Sequence, residues 1–238
     1  MKALILNSGV GRRMGALTSE HPKCMTELLD NETILSRQLK QLAQEGIREV
    51  VITTGLFDTV LKDYCEDVAA DLSCTFVHNP DYDKTNYIYS IYRAREVLDD
   101  DILLMHGDLV FADSVLDDVL RQSGSCMTVS STLPLPEKDF KAVVENGKIV
   151  KVGIEFFENA VTAQPLYRLV HSDWKTWLNH IIDFCEAGKT GCYAENALNE
   201  VSDRCAIFPL DVKNRLCGEI DNPEDLEMMR QRLMEEKQ

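Results

Sequence analysis

Four short apolar runs divide the first half of the chain, and each closes on a turn-forming residue. Residues 2–6 run into Asn7-Ser8-Gly9, 49–53 into Thr54-Gly55, 74–78 into Asn79-Pro80, and 101–106 into Gly107-Asp108. Stretches of helical spacing separate or follow them at 34–47, 60–72, 87–98 and 114–122, and a further strand is expected at 127–132. Strands alternating with helices at this spacing specify βαβ units, hence a mostly parallel sheet with helices on both faces. Such a sheet binds ligands beyond the carboxyl ends of its strands. Gly9, Gly55, Asn79 and Asp108 all follow strand ends, so they are expected along one edge.

The pattern changes after about residue 134. Residues 140–144 and 149–152 flank Asn146-Gly147, a strong local hairpin signal. Helices are expected at 174–185, 193–201 and 224–236, with a strand at 205–209. The segment 79–86 reads as a loop. With 238 residues, 45% of them hydrophobic, the chain can bury one substantial core. It reads as a single domain in two halves, residues 1–133 and residues 134–238.

The net charge of −15 argues against a nucleic-acid partner, whose phosphates call for a basic surface. A small anion remains compatible, because a few local cations can reverse the field inside one cleft. Eight scattered cysteines without a CxxC pair read as reduced thiols in a cytoplasmic protein. No apolar stretch reaches the roughly 18 residues of a membrane span. The charged C-terminal helix could lead into a partner domain or end in solvent, and a dimer is open.

Three constellations carry chemistry. The first is Gly9-Val10-Gly11-Arg12-Arg13-Met14 with Thr18 and Pro22-Lys23. Glycines directly after a strand let backbone N–H groups approach phosphate oxygens, and Arg13 and Lys23 supply charge suited to a triphosphate. Neither the P-loop spacing nor the third glycine of the dinucleotide fingerprint is present. The second is the strand end His106-Gly107-Asp108, where a carboxylate can hold Mg²⁺ or merely cap a turn. The third is Glu219-Ile220-Asp221. In an extended strand its two carboxylates share a face and could complete a metal site; alternatively Asp221 or Asn222 caps the helix that follows.

Together these residues resemble the nucleoside-triphosphate transferase family, the sugar-nucleotide pyrophosphorylase-like proteins. The signature is Gly9-x-Gly11-x-Arg13-Met14, Thr18, Pro22-Lys23 and Gly107-Asp108. The likeness is nearest to bacterial phosphocholine cytidylyltransferases and related 2-aminoethylphosphonate cytidylyltransferases, which share the segment Thr85-Asn86-Tyr87-Ile88-Tyr89-Ser90 and the late Glu219-Ile220-Asp221. The resemblance implies a Rossmann-like, mostly parallel sheet with a small C-terminal elaboration. It also implies transfer of CMP from CTP, with Mg²⁺, onto a small anionic acceptor. Leu6, Asn7, Ser8, Gly9, Val10 and Gly11 would wrap the nucleotide, Arg13 and Lys23 would contact phosphates and act in catalysis, and Gly55, Asn79 and Thr85 would lie near the base or ribose. Asp108, Glu219 and Asp221 would hold the metal, and Asn86, Tyr87 and Tyr167 would meet the acceptor. Two departures stand out: Asn7-Ser8 replaces the Ala-Ala or Ala-Gly of most relatives, and residues 162–168 lack the tryptophan of choline-binding relatives.

An acceptor phosphate or phosphonate is already ionised near neutral pH, so in-line attack on the α-phosphorus requires no general base. Positioning and charge neutralisation would suffice. His21 and His106 flank the expected site in a supporting role. A quaternary ammonium acceptor would want aromatic rings, for which Tyr82, Tyr87, Tyr89, Tyr92 and Phe157 are candidates. A primary amine would want carboxylates, for which Asp81, Asp83 and Glu158 are candidates. The missing tryptophan favours 2-aminoethylphosphonate over phosphocholine. The rival readings are a sugar 1-phosphate nucleotidylyltransferase and a non-catalytic nucleotide-binding domain of the same fold.

Overall fold

A computed structural model describes residues 1–236. Its strands are β1 (Lys2–Leu6), β2 (Glu49–Thr54), β3 (Ser73–His78), β4 (Ile102–His106), β5 (Leu109–Phe111), β6 (Cys126–Ser130), β7 (Lys141–Glu145), β8 (Lys148–Gly153), β9 (Ala160–Leu169), β10 (Phe208–Asp211) and β11 (Cys217–Glu219). The helices are α1 (Ile34–Gln44), α2 (Asp58–Val68), α3 (Tyr87–Ala94), α4 (Asp113–Arg121), α5 (His171–Glu186), α6 (Ala194–Val201) and α7 (Pro223–Glu236). The main sheet runs β10-β6-β9-β4-β1-β2-β3, with β7 joined to β9 and β8 to β7. β4, β1, β2 and β3 are mutually parallel, as expected, whereas β9 runs antiparallel between β4 and β6.

Alternation along the parallel strands builds two cores. Ala3, Ile5, Val50, Ile52, Leu103 and Met105 face one layer with the apolar sides of α1, α2, α4 and α7. Leu4, Leu6, Val51, Ile102 and Leu104 face the other, with α3, α5 and α6. Strands covered on both faces read as continuous apolar runs, which is how these appear in the sequence. Trp174 and Trp177 are fully buried in the second layer, and their indole N–H groups donate to the carbonyls of Leu98 and Ala194.

The hairpin forms where Asn146-Gly147 predicts it. Both residues have positive φ, 51° and 75°, matching the backbone of a tight turn between twisted strands. Several boundaries move. α2 begins and ends earlier than its spacing suggests, and α3 gives way at Arg95 to a 3-10 turn. The strand expected at 205–209 lies at Phe208–Asp211, because the parallel ladder with β6 starts only at Phe208.

Candidate active site

β1 and β4 are neighbours in register, with Leu6 opposite His106, and the Gly107 N–H donates to the Leu6 carbonyl. The two chain ends therefore leave the sheet side by side. A β-carbon on Gly107 would lie 1.7 Å from Asn7 Oδ1, so only glycine admits the Asn7 side chain here. The loop beyond β1 turns at Gly11, which has φ 68°. Thr18 Oγ donates to the Gly11 carbonyl at 3.1 Å and pins that turn. Pro22 precedes the short 3-10 turn Lys23–Met25, which aims Lys23 back at the strand ends.

The second approach comes from the far end of the chain. β11 pairs antiparallel with β5, Glu219 opposite Leu109, and the Ile220 N–H donates to the Asp108 carbonyl. This ribbon sets Glu219 and Asp221 beside Asp108. The Lys23 ammonium bonds to Asp108 and, at 2.9 Å, to Asp221. Arg13 reaches the same Asp221 oxygen at 2.8 Å from a largely exposed position. Burial opposes the charge on Lys23, but Asp108 and Asp221 outweigh it and raise the lysine pKa. Burial likewise opposes ionisation of Asp108, and Lys23 and His106 overcome it to hold the carboxylate below its usual range. Glu219 is pushed up by burial and by Asp108, while its contact with His106 Nδ1 at 2.7 Å acts the other way.

The strand β11 ends at Glu219, and the cap beyond it falls to Asn222 rather than to Asp221. Asn222 caps α7, accepting from the Asp225 N–H at 3.0 Å, and Asp225 accepts from the N–H groups of Asp221 and Asn222. The Asp221 carboxylate is thereby free to face Lys23 and Arg13.

A cavity of about 350 Å³ opens over these groups. Leu6, Asn7, Gly9, Gly11, Arg13 and Lys23 line one end with Asp108, Glu219 and Asp221. A smaller one of about 190 Å³ adjoins it, sharing Leu6, Gly9, Tyr87, His106 and Asp108, and adding Ser8, Asn79, Thr85 and Asn86. Gly55 packs against the Ser8 carbonyl, and Val10 lies on the same loop outside both linings. Asn79 is buried and braced by its own neighbours, donating to Thr85 Oγ and Ser90 Oγ and accepting from the Asp81 N–H. Asn86 caps α3.

Tyr167 requires a correction. Its place on β9 buries it completely, outside both cavity linings, and its hydroxyl donates to Glu195 Oε1 at 3.0 Å. The Tyr87 hydroxyl donates to the same carboxylate, but the Tyr87 ring also lines both cavities. The other nominated aromatics divide. Tyr89 and Tyr92 stack on each other away from the cavities, Tyr82 borders the smaller one, and Phe157 covers Lys141. Asp81, Asp83 and Glu158 line neither cavity.

Sequence reasoning missed the far wall of the larger cavity. Lys138, Asp139 and Phe140 reach it from the segment between β6 and β7, Ile154 from the end of β8, and Tyr193 from just before α6. Phe140 and Tyr193 meet edge to face at 5.0 Å, and Tyr193 lies 5.8 Å from Tyr87. No motif marks these residues; only the antiparallel return of β9 and the docking of α6 bring them together.

Glycine loop, paired cations and clustered carboxylates at the edge of a mixed, mostly parallel sheet define a protein of the nucleotide-diphospho-sugar transferase fold. The chain belongs to the MobA-like NTP transferase domain family, whose model matches residues 3–133. It is 33% identical over 135 residues to the CMP-5'-(3-aminopropyl)phosphonate synthase of Streptomyces rubellomurinus, a match covering 57% of this chain and 21% of that protein. It is 27% identical over 169 residues to the CTP:phosphoglutamine cytidylyltransferase of Campylobacter jejuni, covering 64% of this chain and 65% of that one. The chain thus spans less than two thirds of the length of these two relatives. Among solved structures, the CTP:phosphocholine cytidylyltransferase of Streptococcus pneumoniae superposes with a TM-score of 0.80 over 98% of both chains, at 17% identity.

Proposed function

We propose that this chain is a magnesium-dependent cytidylyltransferase acting on a small acceptor with a phosphate or phosphonate at one end and an amine at the other. 2-Aminoethylphosphonate is the first candidate and phosphocholine the second. One observation carries the reading: Lys23 lies between Asp108 and Asp221 at the mouth of the glycine loop, with Arg13 beside it. Cations fixed among carboxylates suit a site where a triphosphate and a divalent ion meet. The names of the relatives support CTP as donor, since all three refer to CMP or CTP.

The donor set fits Mg²⁺. Carboxylate oxygens are the hard ligands that ion prefers; donor atoms of Asp108 and Glu219 lie within 4.8 Å of each other and of His106, and Asp221 shares the Lys23 ammonium with Asp108. Asp108 and Asp221, with Glu219, would hold it; when bound, it offsets the negative charge of the triphosphate and of the departing pyrophosphate. The chain's own groups do the rest. Backbone N–H groups of residues 7–11 cradle phosphate oxygens. Lys23 and Arg13 draw the α-phosphate into line. An acceptor oxygen forms the new bond to the α-phosphorus as the bond to the β-phosphate oxygen breaks. The rings of Tyr87, Phe140 and Tyr193, with Asp139, make a wall suited to a cationic amine.

Pyrophosphate release tests this. Across the four NTPs, turnover should be fastest with CTP and 2-aminoethylphosphonate, cease in EDTA and return with Mg²⁺. Preference for ATP or UTP would refute the cytidylyl assignment. CTP binding without release for any acceptor would make the chain a binding module.

A further inference from the structure

Lys141, the first residue of β7, has 0% of its surface exposed. A buried ammonium must find partners that offset its lost hydration, and the usual solution is a carboxylate. Here the ammonium instead donates to two loop carbonyls, Pro136 O at 2.6 Å and Asp139 O at 3.0 Å. Its remaining direction is covered by the face of Phe157, whose ring centroid lies 4.2 Å away. The carbonyls belong to the segment joining β6 to β7, and Phe157 to the segment joining β8 to β9. Each segment, or the strand end feeding it, lines the larger cavity: the first through Lys138, Asp139 and Phe140, the second through Ile154. Lys141 itself lies outside the lining.

The β6–β7 segment has no strand or helix of its own. Thr162 Oγ fastens its near part at the Pro134 carbonyl, 3.0 Å away. Past that point, the two carbonyls held by Lys141 fix residues 136–139, which include Lys138 and Asp139 of the lining and lead directly into Phe140. A neutral side chain of similar length could fill the space, but it could not direct two carbonyls toward one point while seating a ring from a second loop.

We infer that Lys141 is a positioning residue that clamps both loops and so fixes the wall against which the acceptor is bound. The inference rests on reading that wall as the acceptor's.

The test is steady-state kinetics with CTP, Mg²⁺ and 2-aminoethylphosphonate for Lys141→Met, Phe157→Leu and the double variant. Lys141→Met should raise the acceptor KM about tenfold or more while the CTP KM stays within about twofold. Phe157 is half exposed, so Phe157→Leu should fold normally and raise the same constant by a smaller factor. The double variant should be no worse than Lys141→Met alone, because both changes release one clamp. Acceptor and CTP constants moving together, or a lowered Tm with both constants unchanged, would overturn the inference. If Lys141→Met does not fold, Phe157→Leu decides alone. If the wild-type chain turns over no acceptor, the functional reading fails, and amide hydrogen exchange decides the clamp. Exchange should quicken at residues 134–140 and 154–159 in both variants, and unchanged exchange there would refute it.

Discussion

The two ends of the larger cavity are built by different means. One end draws most of its lining from a single stretch, residues 6–23, where backbone turns and two cations do the work. The other draws on the β6–β7 segment, the end of β8, the start of α3 and the approach to α6, and uses rings and the single loop carboxylate of Asp139. The family model spans residues 3–133, which includes the glycine loop, Arg13, Lys23 and Asp108 but stops before Lys138, Glu219 and Asp221. Phosphate chemistry needs charges and amides in one arrangement, so a short local signature can encode it. Under the proposed function, acceptor choice needs a shaped wall, which long-range packing supplies.

The largest effect that would sharpen this contrast is expected at the charged end. Under the proposed function, Lys23→Ala and Asp108→Asn should each lower kcat by about 10²–10³-fold, since each would remove a fixed charge at the reacting phosphate. Near-normal turnover in either would erase the distinction. At the opposite wall, Tyr193→Ala should raise the acceptor KM about tenfold and leave the CTP KM nearly unchanged, as expected for loss of a partly buried aromatic contact. A matched rise in both constants would mean that the two ends are not separable. The smallest kinetic effect belongs to Tyr167→Phe. It should leave both KM values alone yet lower stability by about 1–2 kcal/mol in urea denaturation, because buried Glu195 loses one of its donors. A changed acceptor KM would return Tyr167 to the site.

The same division governs what could be read from the chain. β1 to β4 are continuous apolar runs because both of their faces are covered, and Gly9, Asn79 and Asp108 beyond their ends border the two cavities. The Asn146-Gly147 hairpin announces itself by turn chemistry alone. β9 does not, because Gln164 and Pro165 interrupt its pattern. The ladder with β6 slips at that point, Met127 pairing with Tyr167 but Val129 with Ala163, which accommodates proline's missing N–H inside a central strand. Without β9, the burial of Tyr167 and the arrival of Phe140 at the cavity could not be anticipated. The sequence left the helix cap open between Asp221 and Asn222, and the structure gives it to Asn222.

The ribbon between β5 and β11 has a consequence in time. Asp108 belongs to a part of the chain that can begin to form its parallel ladder early in synthesis. Glu219 and Asp221 emerge more than a hundred residues later and reach Asp108 only once that ribbon has paired. A nascent or truncated polypeptide holding the glycine loop and Lys23 would lack two of the three clustered carboxylates. Competence should therefore switch on as a late, single event rather than accumulate with length.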